Sequence, residues 1–300
     1  MTPGDILVHL RLPFSFFLLP VWLLGVLVAG QGLDTTAVLS GIALHLFLYP
    51  ASNAFNSYWD RDEGPIGGIL NPPKVDRKLL IASIAWELPG LVLLFLAGLA
   101  PGLLGLVYSL CSKAYSWDGL RWKRFPRFSL LGIAIVQGSL VVLLCNPQVL
   151  GAAAGAANAA TGGASPQFLA AALTSAVFLA AVYPLTQIYQ HEADAARGDK
   201  TFSMLVGIRG TFIHSAACFL LAGAGLAWML IALDPVAAPL RLALLLACLA
   251  PALGYFLRWA TLAWKDSGAA DFRRTMLMNL LASVGMNLFL IICLVQQSAA

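Results

Sequence analysis

Read from the N-terminus, the chain alternates long apolar runs with short polar breaks. The runs fall at about 12–31, 36–57, 79–99, 101–117, 128–146, 167–187, 212–233, 236–262 and 275–296. Most approach the ~20 residues that a helix rising ~1.5 Å per residue needs to cross ~30 Å of hydrocarbon. Strands of a membrane barrel would instead alternate apolar and polar residues in ~10-residue pieces, and these runs do not. The pattern predicts an all-α polytopic membrane protein with nine transmembrane helices, residues 1–300 forming a single integral-membrane domain. The first run, LPFSFFLLPVWLLGVLVAG after Arg11, is longer than a signal-peptide core of ~7–15 residues and is followed at once by another run, so it reads as a retained helix.

Composition agrees with the pattern. Of 300 residues 60% are hydrophobic and 11% charged, against about 25% charged in a soluble domain. Cys111, Cys145, Cys218, Cys248 and Cys293 stand singly among apolar neighbours, which indicates core side chains rather than a disulfide framework or a zinc site. The histidines are scattered as well.

Charge orients the spans. With a cytoplasmic N-terminus, the segments after the even-numbered runs are cytoplasmic too, and they and their borders hold 17 of the 18 Lys and Arg residues, leaving Arg241 near the opposite face. This is the positive-inside bias, with the C-terminus outside. It accounts for the net charge of +4 without a nucleic-acid partner, and nothing indicates an obligatory protein partner. The segment GAAAGAANAATGGAS at 151–165, on the opposite side, reads as a flexible surface connection.

Two polar stretches interrupt this background with one spacing. Asn53, Asn56 and Asp60 in NAFNSYWD match Gln187, Gln190 and Asp194 in QIYQHEAD. At ~100° per residue each set would occupy a ~60° arc on one helix face. Both sets lie at cytoplasmic ends of even-numbered runs and lead into charged loops, RDEGPIGG and AARGDKT. Carboxylate and amide oxygens suit Mg²⁺, which is commonly held by one or two carboxylates together with substrate phosphates. Lys74, Arg121, Lys123, Arg197 and Lys200 supply cations for the remaining phosphate oxygens. A diphosphate at the membrane surface, joined to a lipid tail between helices, fits both halves of the arrangement. Plain helix ends meeting the headgroups are the simpler alternative, and ion-coupled transporters and lipid carriers also use intramembrane polar groups.

Other polar groups carry two readings each. Glu87, within the third run, either serves the acceptor or pairs with Lys113; Lys113 is either a diphosphate ligand or a snorkelling interface lysine. Gln137 beside Gly138 either bridges helices or lines an acceptor pocket. Tyr58, Trp59, Tyr115, Trp117 and Tyr189 either face a carbocation or form the interfacial aromatic belt. His191 sits one residue off the polar face and reads as a loop side chain.

In N-S-Y-W-D-R-D-E-G-P at 56–65, Y-S-W-D-G-L-R-W-K-R at 115–124, Q-I-Y-Q-H-E-A-D-A-A-R-G-D-K-T at 187–201, L-V-G at 205–207 and the L-R-L-P entry to the first run, the chain resembles the UbiA-type intramembrane prenyltransferases. The resemblance implies nine helices around a central lipid-accessible cavity in the cytoplasmic membrane, with two aspartate-rich motifs over its cytoplasmic mouth. There Mg²⁺ would hold the diphosphate of a polyprenyl donor, whose allylic cation a small hydrophobic acceptor, such as an aromatic quinone precursor, captures. Phosphoribosyl or glycosyl transfer to a lipid phosphate on the same scaffold is the other chemistry it allows. Asn56 and Asp60 match the leading Asn and central Asp of the first motif, and Asp194 matches the last Asp of the second; these are the implied catalytic residues. Gln190 stands where the second motif begins with Asp, and Ser57 and Gly64 where the first often has Asp. Asp62, Glu63, Glu192 or Asp199 either supply the missing charge or mark solvated loops. Asn53, Glu87, Tyr115, Gln137 and Gln187 are the candidates for the acceptor or prenyl pocket.

Overall fold

In hydrocarbon the backbone satisfies its own hydrogen bonds or leaves them unmade, so long apolar runs become helices. The computed structural model describes residues 1–147 and 165–299 and turns the runs into eleven helices. In chain order these are α1 (Pro3–Leu10), α2 (Leu19–Ala29), α3 (Thr35–Asp60), α4 (Arg77–Ala97), α5 (Leu99–Ser116), α6 (Pro126–Cys145), α7 (Pro166–Leu185), α8 (His191–Ala196), α9 (Phe202–Leu233), α10 (Ala238–Lys265) and α11 (Phe272–Ala299). Among the described residues the sole β-type pairing is the bridge between Ile66 and Ile69. The connection expected to be flexible, at 151–165, lies outside the described residues save for Ser165, which caps α7 by accepting the Phe168 N–H at 3.1 Å.

Seven of the described helices are long and apolar enough to cross a membrane, and an eighth span results if Pro3–Phe17 and Leu19–Ala29, bent by 46°, count as one. Nine is therefore not what length and apolarity alone return. The helix that separates the counts is α5, whose C-terminal half carries Ser109, Ser112, Lys113, Tyr115 and Ser116. The first span is also not the straight rod of residues 12–31. Arg11 turns left-handed at φ 50°, Leu12–Phe17 is a tight 3-10 helix, and α2 starts afresh around Pro20, which has no N–H to continue the preceding ladder. At the seventh run the helix begins at Phe202, ten residues before the apolar stretch. Thr201 caps it, and Gly207 breaks it at φ 72°, ψ 172°.

Outward-facing Leu96, Leu220, Leu240 and Leu246 are all exposed, as lipid-facing side chains are. Inside, α2 packs on α6, α7 and α11; α3 on α4 and α5; and α7, α9, α10 and α11 pack in succession, so that α11 returns to α2 and closes the ring. One end is filled by Val26, Leu27, Leu144, Phe168, Met229, Leu230 and Phe289. Toward the other end a cavity of about 230 Å³ is left, walled by α3, α5, α6, α7 and α11.

Small residues set the close approaches that shape this ring. Gly138 faces the backbone of Ser175 and Ala176 in α7, and a Cβ there would stand 2.7 Å from the Ala176 Cα and N. Backbone cannot yield as a side-chain tip does. Gly138→Ala is therefore expected to push α6 from α7 and lower stability by about 1–3 kcal/mol, read as a lower melting midpoint in detergent; an unchanged midpoint would show that the α6–α7 contact is loose.

Candidate active site

The polar end of α3 forms one side of the site. Helical spacing brings Asn53 and Asn56 to the cavity wall. Asp60, one turn beyond Asn56, is buried at the helix end, where Arg61 turns left-handed at φ 50° and its N–H closes on Ser57 O at 3.0 Å. Asn56 Nδ2 donates to Ser116 Oγ at 2.9 Å, tying α3 to α5, and the Asn53 carbonyl accepts from the Arg11 guanidinium at 2.9 Å. Arg11 is the one charged side chain lining the cavity among the described residues. The L-R-L-P entry contains it, but nothing in the spacing of that entry marks Arg11 as a site residue.

The second stretch does not share this geometry. α7 ends at Leu185 just after Pro184, and the Thr186 and Gln187 N–H groups close tight turns onto Tyr183 O and Pro184 O at 3.1 Å each. Gln187 is buried, and its Oε1 accepts the Ser203 N–H at 3.2 Å, anchoring the start of α9 instead of lining the cavity. Gln190 Nε2 donates to the Pro65 carbonyl of the first motif's loop at 3.4 Å. Asp194 lies in the separate short helix α8, buried, with Arg197 at 2.9 Å. The repeated spacing thus gives one helix face and one turn.

Ion pairs join the loops above the cavity. Lys123, itself buried, pairs with Asp60 and lies 3.4 Å from Asp199. Arg121 donates to both Asp199 oxygens at 2.9 and 3.0 Å, pairs with Asp118, and stands 4.0 Å from Asp60. Arg197 pairs with Asp62 and Asp194 and donates to the Asp60 carbonyl at 2.9 Å. Burial pushes the Asp194 carboxyl up to about 6 against the pull of Arg197 and Lys123. Burial would also raise Asp199, but the Arg121 hydrogen bond and the Lys123 charge outweigh it and hold that group below the usual carboxylate range. The Asp199 hydrogen bond in turn lifts Arg121 above its ordinary value.

The remaining expected residues separate into three groups. Glu63, Lys74, Glu192 and Lys200 are exposed, and none joins an ion pair among the described residues. Lys113 pairs with Glu87, donates to Ser109 at 3.0 Å and sits 5.4 Å over the Phe55 ring; neither it nor Glu87 lines the cavity. Tyr115 and Gln137 do line it, and Tyr115 hydroxyl bonds Tyr183 at 2.7 Å, which bonds Ser129 at 2.8 Å. Of the five aromatics considered for a cation, Tyr115 alone lines the cavity, whereas Trp117 is exposed and Tyr189 packs on Phe272. The cysteines are unpaired.

Among the described residues no three His, Cys, Asp or Glu side chains converge to hold a metal by themselves. The donor chemistry nevertheless suits a hard cation shared with a ligand. Asp60, Asp62 and Asp194 each accept from the protein through Oδ1, which leaves Oδ2 free of protein donors among the described residues, while Asp199 commits both oxygens to Arg121.

Residues 17–281 match the UbiA prenyltransferase family. The chain belongs to that family. It is thus an integral-membrane prenyltransferase, and the implied all-helical architecture is the one observed. A UbiA homologue from Archaeoglobus fulgidus bound to DMAPP and Mg²⁺ superposes with a TM-score of 0.65 at 18% identity, over 99% of this chain and 100% of that one. The same homologue bound to GPP and Mg²⁺ gives 0.64 at 17%, over 97% and 99%. The apo UbiA homologue from Aeropyrum pernix K1 gives 0.60 at 19%, over 94% and 98%. At these identities the likeness speaks to the fold. No curated protein matches the chain.

Proposed function

We propose that this UbiA-family enzyme transfers a polyprenyl group from its diphosphate to a small hydrophobic acceptor, such as an aromatic quinone precursor. The observation that carries the proposal is the junction of two unlike environments: a largely apolar cavity runs to Asn56, Ser116 and Trp122, and immediately beyond those residues stand Asp60, Arg121 and Lys123. The Archaeoglobus fulgidus homologue binds DMAPP or GPP with Mg²⁺, and the same pairing suits the donor set here.

Asp60 and Asp194, with Asn56 at the cavity mouth and Asp62 and Gln190 beside them, would hold Mg²⁺; when bound, it neutralises charge on the departing diphosphate. Arg121, Lys123 and Arg197 are close enough to the carboxylates to meet the remaining phosphate oxygens. The allylic C–O bond breaks with its electron pair leaving on diphosphate, the acceptor's nucleophilic atom forms the new bond, and the acceptor releases a proton. Phe178, Leu179, Val136 and Phe219 in the cavity keep water from the cation. The bias of basic residues toward the polar-site end supports a cytoplasmic active site and N-terminus.

Purified protein incubated with labelled prenyl diphosphates and membrane extract is expected to release diphosphate with Mg²⁺ and to stop on addition of a chelator, resuming when Mg²⁺ is restored. Folded protein that releases none from any chain length would refute the proposal, and release indifferent to chelator would refute its metal.

A further inference from the structure

A second concavity lies away from the active site, where α9 begins and α10 ends. It has a volume of about 420 Å³, is walled by Gly207, Arg209, Trp264, Lys265 and Ser267 among others, and shares no residue with the prenyl cavity. The L-V-G run ends there. Gly207 adopts φ 72°, a value that residues with side chains rarely take, and the break it makes in α9 forms one wall. Arg209 is fixed at the rim: its guanidinium donates to the Trp264 carbonyl at 2.8 Å and lies 5.3 Å over the Trp264 ring. Arg209, Trp264 and Lys265 are all exposed.

The cations here stand outside the ion pairs of the described residues. At this end Arg274 pairs with Asp271, but no ion pair among the described residues involves Arg209, Arg258 or Lys265. The nearest acid in sequence, Asp266, turns its Oδ1 onto the Gly268 N–H at 2.9 Å. Gly254, Arg258, Thr261 and Lys265 fall within a ~60° arc of α10, with Arg258 about 10 Å deeper than Lys265. A Cβ at Gly254 would meet nothing within 4 Å, so this face has open room beside the exposed Leu253 and Leu257. Cations at the headgroup level, an interfacial tryptophan and an open apolar strip below them match one ligand class.

We propose that this groove binds the phosphodiester headgroup of an anionic glycerophospholipid, with Arg209 and Lys265 on the phosphate and the acyl chains along the outer face of α10. Free phosphate offers the same cations an anionic partner, but it lacks the acyl chains that the Gly254 face accommodates.

The full chain would be reconstituted in phosphatidylcholine nanodiscs with and without phosphatidylglycerol, and retained lipids counted by native mass spectrometry. Wild type is expected to retain phosphatidylglycerol in preference to phosphatidylcholine. Arg209→Gln/Lys265→Gln should bind it about thirtyfold more weakly, from roughly fivefold for each interfacial cation lost. Arg273→Gln, an exposed cation at the same end but outside the groove, should behave as wild type. The proposal is overturned if the double variant retains phosphatidylglycerol as wild type does, if Arg273→Gln weakens it equally, which would mean diffuse attraction, or if inorganic phosphate displaces the lipid.

Discussion

Asp60→Asn is expected to give a folded protein whose diphosphate release per molecule falls by about a hundredfold to a thousandfold, the scale seen when one preorganised electrostatic partner is removed. The substitution keeps the side chain's shape and removes its charge. Folding should survive because Lys123 retains Asp199 at 3.4 Å, so its ammonium is not left alone in the interior. What is lost is a carboxylate that lies one turn past the cavity-lining Asn56 and whose Oδ2 has no protein donor among the described residues. Asp194→Asn should act in the same direction. The check is release of labelled diphosphate at saturating donor, normalised to monodisperse protein. Activity within a few-fold of wild type for both variants would remove these residues from the reaction.

Much of this site could be read from the residues because its first half is local. Asn53, Asn56 and Asp60 belong to one uninterrupted helical stretch, where a 3-then-4 spacing means a shared face. The same spacing misled at Gln187, Gln190 and Asp194, since periodicity has meaning only while the helix continues, and Pro184 and Thr186 end it first. Apolar runs marked most spans for the same local reason. They overstated the straightness of the first, where prolines and the left-handed Arg11 intervene, and they missed the start of α9, which Thr201 and a buried Gln187 establish through a cap and a long-range hydrogen bond. The cross-loop pairs were the hardest to foresee. Lys123 and Asp60 are 63 positions apart, and Arg197 and Asp62 are 135; each was visible as a charge, but only the closed ring makes them partners. Glu87 and Lys113 show the intermediate case: both roles could be written down, and packing of α4 on α5 selects the pair.

Lys123→Met is expected to lower stability by about 3–5 kcal/mol, the penalty typical of removing one partner from a buried ion pair. Lys123 is 5% exposed and serves two carboxylates, Asp60 and Asp199, that are themselves buried. Without it Arg121 remains, bidentate on Asp199 but 4.0 Å from Asp60, too far for a good hydrogen bond. Asp60, itself 8% exposed, is then left without a hydrogen-bonding cation among the described residues. The melting midpoint in detergent, taken at one heating rate because such unfolding is commonly irreversible, should fall well below that of wild type. Adding Asp60→Asn to Lys123→Met should recover part of the loss, since it removes the stranded charge, and the non-additivity of the two changes measures their coupling. A midpoint equal to wild type for Lys123→Met, or a double variant that loses the sum of the single effects, would mean that Lys123 and Asp60 do not stabilise one another. The two single variants should therefore separate cleanly: Asp60→Asn is felt chiefly in turnover, because Lys123 keeps a partner, whereas Lys123→Met is felt first in stability, because Asp60 does not.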